Sequence, residues 1–223
     1  MIFGKLFVRL TLFYLLVTGG VAALVAFDPE LAGYLPLGGA QTLLSQSTGD
    51  PLTGVRIGAE KVADLGGSVL WLFIAVTGAV LTTLPLTWTY MASRSRAEYD
   101  QALVETMVVL PIAVTAIVVM VHNSLALAFS LAGIVGGVRF RNTLKSTGDA
   151  IYILLAIGIG LAAGIGALEI ALVMTITFNY AFAFLWMADY GGKDGTHRYL
   201  RSPDQKPADD DADDHEQSGE GSE

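Results

Sequence analysis

The densest group of residues able to bind a ligand is Val138-Arg139-Phe140-Arg141, followed by Lys145 and by Ser146-Thr147-Gly148-Asp149 at the head of an apolar stretch. A serine three residues before an acid, ahead of such a stretch, has the spacing of a helix capping box with Asp in the usual place of Glu. Three cations beside the free amides of a helix start suit a phosphate or carboxylate, because charge and backbone donors converge there. Arg139, Arg141, Lys145 and Ser146 are therefore the anion-binding candidates. The plainer account is that both arginines are topology anchors at a headgroup boundary and Ser146 only caps its helix. Glu169 is the second candidate, the one charge in the apolar run from Ala150 to Trp186. An ionisable group inside a membrane segment needs a partner or water and marks a cation or proton site by default. If the chain turns at Gly164 to Gly166, Glu169 is interfacial; if it turns later, Glu169 lies near the midplane.

Other chemistries find no support. His122, His197 and His215 are isolated, and no phosphate loop, dinucleotide fingerprint or nucleophile elbow is present. With no cysteine there is no thiol catalysis and no cysteine metal site. The reading is a non-enzyme with no catalytic residue, metal or cofactor. Nucleic acid is not an expected partner, because the basic residues follow membrane topology and form no exposed patch.

The elements that must position these residues are set by the lipid. Hydrocarbon about 30 Å thick needs about 20 apolar residues of helix, and 53% of the 223 residues are hydrophobic. Runs at Leu10 to Phe27, Gly66 to Met91 and Ala102 to Val121 predict the first three spans. Pro85 predicts a kink in the second, and Trp71, Trp88 and Tyr90 are placed as interface anchors. Leu125 to Val138 is short for a crossing and reads as a thin span or a re-entrant element. The run from Ala150 to Trp186 would reach about 55 Å as one helix, so it folds into a glycine-rich hairpin, Ala150 to Ala163 and Ala167 to Trp186. The fold class is thus an all-α integral membrane protein of about six spans over residues 1–203, with an outer loop at about 28–64. A retained first span is favoured over a cleaved signal, since the cleavage pattern near Val21 and Ala23 is weak.

Charge tests this layout. With the N-terminus inside, Lys5, Arg9, Arg94, Arg96, Arg139, Arg141, Lys145, Lys193, Arg198 and Arg201 all face the cytoplasm, and only Arg56 and Lys61 face out. That asymmetry favours a true fourth span, a multi-pass protein of the cell membrane, and both termini in the cytoplasm. Residues 204–223 hold nine carboxylates against Lys206, which accounts for the whole formal charge of -8. Such a segment cannot bury enough apolar surface to offset the entropy of ordering, and predicts a disordered acidic tail. Gly160 with Gly164, and Gly133 with Gly137, have the spacing for close helix packing, within the chain or in a homo-oligomer. Thr175, Thr177 and Asn179 are placed to hydrogen-bond between helices.

Ala132 to Glu169, with Gly133, Val138 to Arg141, the Lys145 to Asp149 link and the glycine-rich run through Gly166, resembles the prokaryotic membrane family called domain of unknown function 4956. The resemblance extends over the third to sixth spans. It implies a multispan membrane protein often encoded beside a cytosolic polyphosphate-polymerase-like protein, which would be its partner. Together with the basic link it makes a transport or translocation component for phosphate or polyphosphate the leading expectation. A membrane-embedded regulatory or scaffold subunit without transport activity is the alternative.

Overall fold

In hydrocarbon every backbone amide must be paired within the protein, which leaves helices and closed barrels as spanning structures; the regular secondary structure among the described residues is helical. The computed structural model describes residues 2–28, 33–41, 65–94, 99–121 and 147–187. They hold α1 (Ile2–Phe27), α2 (Leu65–Ser93), α3 (Gln101–Val121), α4 (Thr147–Gly164) and α5 (Leu168–Met187), and a further helical turn begins at Gly39. Helices α1, α2, α3 and α5 are long and apolar enough to cross a membrane, and α4 is a shorter apolar helix. At 18 residues α4 reaches about 27 Å, just under the hydrocarbon thickness. The expected span at 125–138, most of the loop at 28–64 and the tail at 204–223 lie outside the described residues.

The helix limits depart from the apolar runs in instructive places. Helix α1 begins eight residues before Leu10, because helix geometry tolerates Lys5 and Arg9 where their long stems can carry the charge to the boundary. Helices α2 and α3 continue through Pro85 and Pro111 without a break. Asp100 starts α3 as its cap, its Oδ1 accepting the Ala102 amide at 3.0 Å. Of the expected interface aromatics, Trp71 and Tyr90 are buried inside the protein, since the face of α2 that carries them is turned to its neighbours.

The centre is formed by α2, α3, α4 and α5, with Ala79, Leu86, Tyr90, Met107, Tyr152, Ile159, Ala163 and Ala171 packed together. Helix α4 lies closest to α3, through the glycine stripe. A Cβ on Gly160 would sit 2.7 Å from Val114 Cβ, and one on Gly164 would sit 2.6 Å from Val118 Cβ. The stripe is therefore used within the chain, and Thr115 crosses the same contact by donating to the Gly160 carbonyl at 3.2 Å. Helix α1 stands outside this group, where Leu6, Leu10 and Tyr14 meet Trp88, Leu172 and Ile176.

The α4–α5 connection follows from glycine. Gly166 takes φ 78°, the left-handed conformation that costs glycine least. Its amide bonds back to the Ala163 carbonyl at 3.1 Å and the Ala167 amide to the Ala162 carbonyl at 2.8 Å, the pair of bonds that ends a helix in a Schellman motif. Residues 33–41 lie over this turn, with Leu168 donating to the Pro36 carbonyl at 3.1 Å and Gly39 to the Gly166 carbonyl at 3.2 Å.

Candidate functional site

One end of the bundle gathers the helix starts and stops that carry charge. The end of α2 brings Arg94 to the first turn of α4, where its Nη2 donates to Asp149 Oδ1 at 2.5 Å. The two side chains are 12% and 5% exposed, so the pair is nearly out of solvent. The Arg94 guanidinium also lies 5.6 Å from the centre of the Tyr90 ring, and Tyr90 packs edge-on against Tyr152 at 5.2 Å. Such a pair is held where geometry is good, and a first-turn carboxylate is further favoured by the helix dipole. On the same end Arg9 stacks on Trp88, 3.9 Å above its ring. Glu105 is exposed near the start of α3 and accepts from Gln101 at 2.9 Å, an interfacial placement. All three basic residues among those described, Lys5, Arg9 and Arg94, belong to this end.

Of the anion candidates, Arg139, Arg141, Lys145 and Ser146 lie outside the described residues. What is placed is the helix they lead into. Helix α4 starts at Thr147, one residue after Ser146, and Asp149 falls at the capping-box position but takes Arg94.

The opposite end holds Glu169. With the turn at Gly166, it falls in the first turn of α5, the interfacial geometry of the two anticipated. Its Oε1 accepts the amides of Gly38 at 3.0 Å and Ala40 at 2.8 Å. The carboxylate thus satisfies the amides at the helical turn that begins at Gly39, and so ties residues 33–41 to the α4–α5 turn. Its Oε2 is buried and makes no hydrogen bond among the described residues. In this position Glu169 can hold a segment in place or accept one more donor.

A third polar group lies between α1 and α5. Asn179, fully buried, donates from Nδ2 to Tyr14 Oη at 2.7 Å, and its Oδ1 makes no hydrogen bond among the described residues. Thr11 Oγ1 and Tyr180 Oη share a bond of 2.8 Å. Thr175 bonds back to the Ala171 carbonyl of its own helix at 2.5 Å. Asn179 is placed between helices as its residue type suggests. Its partner Tyr14 and the Arg94–Asp149 pair escape a reading by sequence. The available signal for the pair was a cation and an anion at span ends expected on one side of the membrane.

A core of apolar helices, closed by an ion pair at one end and a glycine turn at the other, is the build of a multispan helical membrane protein. The chain belongs to the family Domain of unknown function (DUF4956), whose family model matches residues 73–207. The match starts inside α2, earlier than the third span at which the resemblance began, and reaches the first residues of the acidic stretch. It leaves out α1 and residues 28–64. No curated protein and no solved structure matches the chain.

Proposed function

We propose that this protein is a multi-pass cell-membrane component that receives an anion of the phosphate or polyphosphate type at its cytoplasmic face. Arg139, Arg141, Lys145 and Ser146 collect the anion ahead of α4. The observation that carries this reading is the pairing of Asp149 with Arg94. The carboxylate nearest the basic link in sequence is already compensated, so it does not oppose an incoming anion. The position of Lys5, Arg9 and Arg94 at that same end supports a cytoplasmic assignment for it, with the N-terminus inside.

The second reading, a regulatory or scaffold subunit without a pathway, draws on the packing of Tyr90, Met107, Ile159 and Ala163, from α2, α3 and α4, into one buried core. It has the protein holding a cytosolic polyphosphate-polymerase-like partner. Binding of inorganic phosphate and of polyphosphate to the purified full chain, with flux in proteoliposomes, separates the two. On the first reading Arg139→Ala with Arg141→Ala weakens binding by roughly tenfold or more, the scale of a lost charge-assisted contact of about 1.5–3 kcal/mol, and flux falls with it. Unchanged binding and flux in a normally inserted variant overturn it. No flux from either protein, with co-purification of a cytosolic or membrane partner that is weakened by deletion of residues 204–223, supports the scaffold.

A further inference from the structure

At the Glu169 end a cavity of about 490 Å³ lies between α1, α2, α5 and the 35–37 segment. Its wall includes Val17, Val21, Phe73, Ile74, Leu81 and Leu172, and the surface it exposes is almost entirely carbon. Three threonines belong to that wall, but their hydroxyls are turned away. Thr77 Oγ1 donates to the Phe73 carbonyl at 2.7 Å, Thr82 to the Gly78 carbonyl at 2.9 Å, and Thr18 to the Tyr14 carbonyl. Glu169 also contributes to the wall, while its Oε1 points to the amides of Gly38 and Ala40 and its Oε2 is buried. The lining is thus apolar even where its residue types are polar.

From this lining we infer that the cavity is a lateral lipid site that takes one acyl chain of a bilayer phospholipid. Val21, Phe73 and Leu81 are wall residues and exposed surface residues at once. The cavity is therefore continuous with the outer apolar faces of α1 and α2, which on the membrane reading meet hydrocarbon. Water gains too few partners on carbon walls to occupy such a space. A polar solute would be buried there without hydrogen bonds, and an anion would be penalised far more. A hydrocarbon chain has no hydrogen bonds to give up on leaving the bilayer and exchanges its lipid contacts for close packing on several sides. The volume falls in the range of about 300–1,000 Å³ usual for small-molecule sites. The site is at the other end of the bundle from the start of α4, and rests on the membrane-spanning reading, though not on any anion.

The test uses the full chain reconstituted with a phosphatidylcholine bearing a diazirine in one acyl chain. After photolysis and proteolysis, crosslinks should concentrate on the peptides containing Val17 to Ala22 and Phe73 to Thr82. An even spread over the exposed faces of all the helices overturns the site. Native mass spectrometry gives the second readout. The wild type should retain roughly one lipid per chain through detergent exchange, and Ala22→Phe with Thr77→Phe, which fills the cavity, should lose it. Equal retention by wild type and a helical, monodisperse variant also overturns the site. Resistance of the wild type to carbonate extraction from membranes reports the spanning reading independently, so the two can fail separately.

Discussion

Arg94 and Asp149 show why a single residue's role here depends on the partner it meets 55 positions away. Each has a local explanation, Arg94 as a boundary cation after α2 and Asp149 as the acid of a capping box, and neither explanation mentions the other. The pairing is created by the packing of α2 on α4, which no local spacing encodes. The same holds for Tyr14 and Asn179, where the amide was recognisable as an interhelical donor but its acceptor was not. The ion pair has a testable asymmetry. Removing one partner of a nearly buried pair costs about 3–5 kcal/mol, because the other charge stays behind. Losing Arg94 leaves an anion in the first turn of α4, where the helix dipole tolerates it by about 0.3–1 kcal/mol; losing Asp149 leaves a cation at the same dipole end, which repels it. Asp149→Leu should therefore destabilise the protein more than Arg94→Met. The double variant should recover most of the loss, since apolar replacement of a whole buried pair is close to neutral or better. Thermal unfolding of the four proteins in detergent gives the cycle, and additive losses in the double variant rule the coupling out.

At the scale of the helix, the sequence was most legible where lipid imposes the rule. The apolar runs place α2, α3, α4 and α5 to within a few residues, because a span has to match a fixed thickness of hydrocarbon. The turn at Gly164 to Gly166 was legible for a similar reason, since the apolar stretch from Ala150 to Trp186 overshoots that thickness and glycine is where it can reverse. Which face each helix presents was not legible, as helices apolar all round carry no stripe to read. Hence Tyr90 and Trp71 read as boundary residues while the packing buries them. The glycines divide along the same line. Gly160→Leu must force α4 away from Val114 and the Pro111 carbonyl, which a Cβ alone would approach at 2.7 and 2.9 Å, and should cost about 1–3 kcal/mol or more by overpacking. Gly158→Ala meets only the mobile end of Met174, at 3.0 Å, and should be nearly neutral. Gly19→Ala meets nothing within 4 Å in mid-helix and should stabilise by about 0.5–1 kcal/mol. Denaturation midpoints in mixed micelles order the three, and a Gly160→Leu protein as stable as Gly158→Ala would mean that α3 and α4 do not approach through this stripe.

For the molecule as a whole, orientation decides which of its two ends can meet a cytosolic anion. The described helices form a consistent pair of ends, with Lys5, Arg9, Arg94 and Asp149 at one and Asp28, Gly166 and Glu169 at the other. Basic residues are held on the cytoplasmic side of short loops during insertion, whereas acids contribute little to the choice, so the first end should face inward. Helix α4 starts at that end, so the proposed function has the link at 139–145 face inward with it. A cysteine-free chain makes this directly measurable. Gly166 is a poor place for a probe, as its φ of 78° strains any side chain; Asp28, exposed at the end of α1, is a better one. Asp28→Cys should react with a membrane-impermeant maleimide in intact cells, while Asn142→Cys and Ser218→Cys should react only after permeabilisation. If Asn142→Cys labels from outside while Asp28→Cys is protected, the whole bundle is inverted and the basic link collects ligands from the external medium. If both label from outside, the link at 139–145 does not share the side of Lys5, Arg9 and Arg94, and the collection of a cytosolic anion by Arg139 and Arg141 is ruled out.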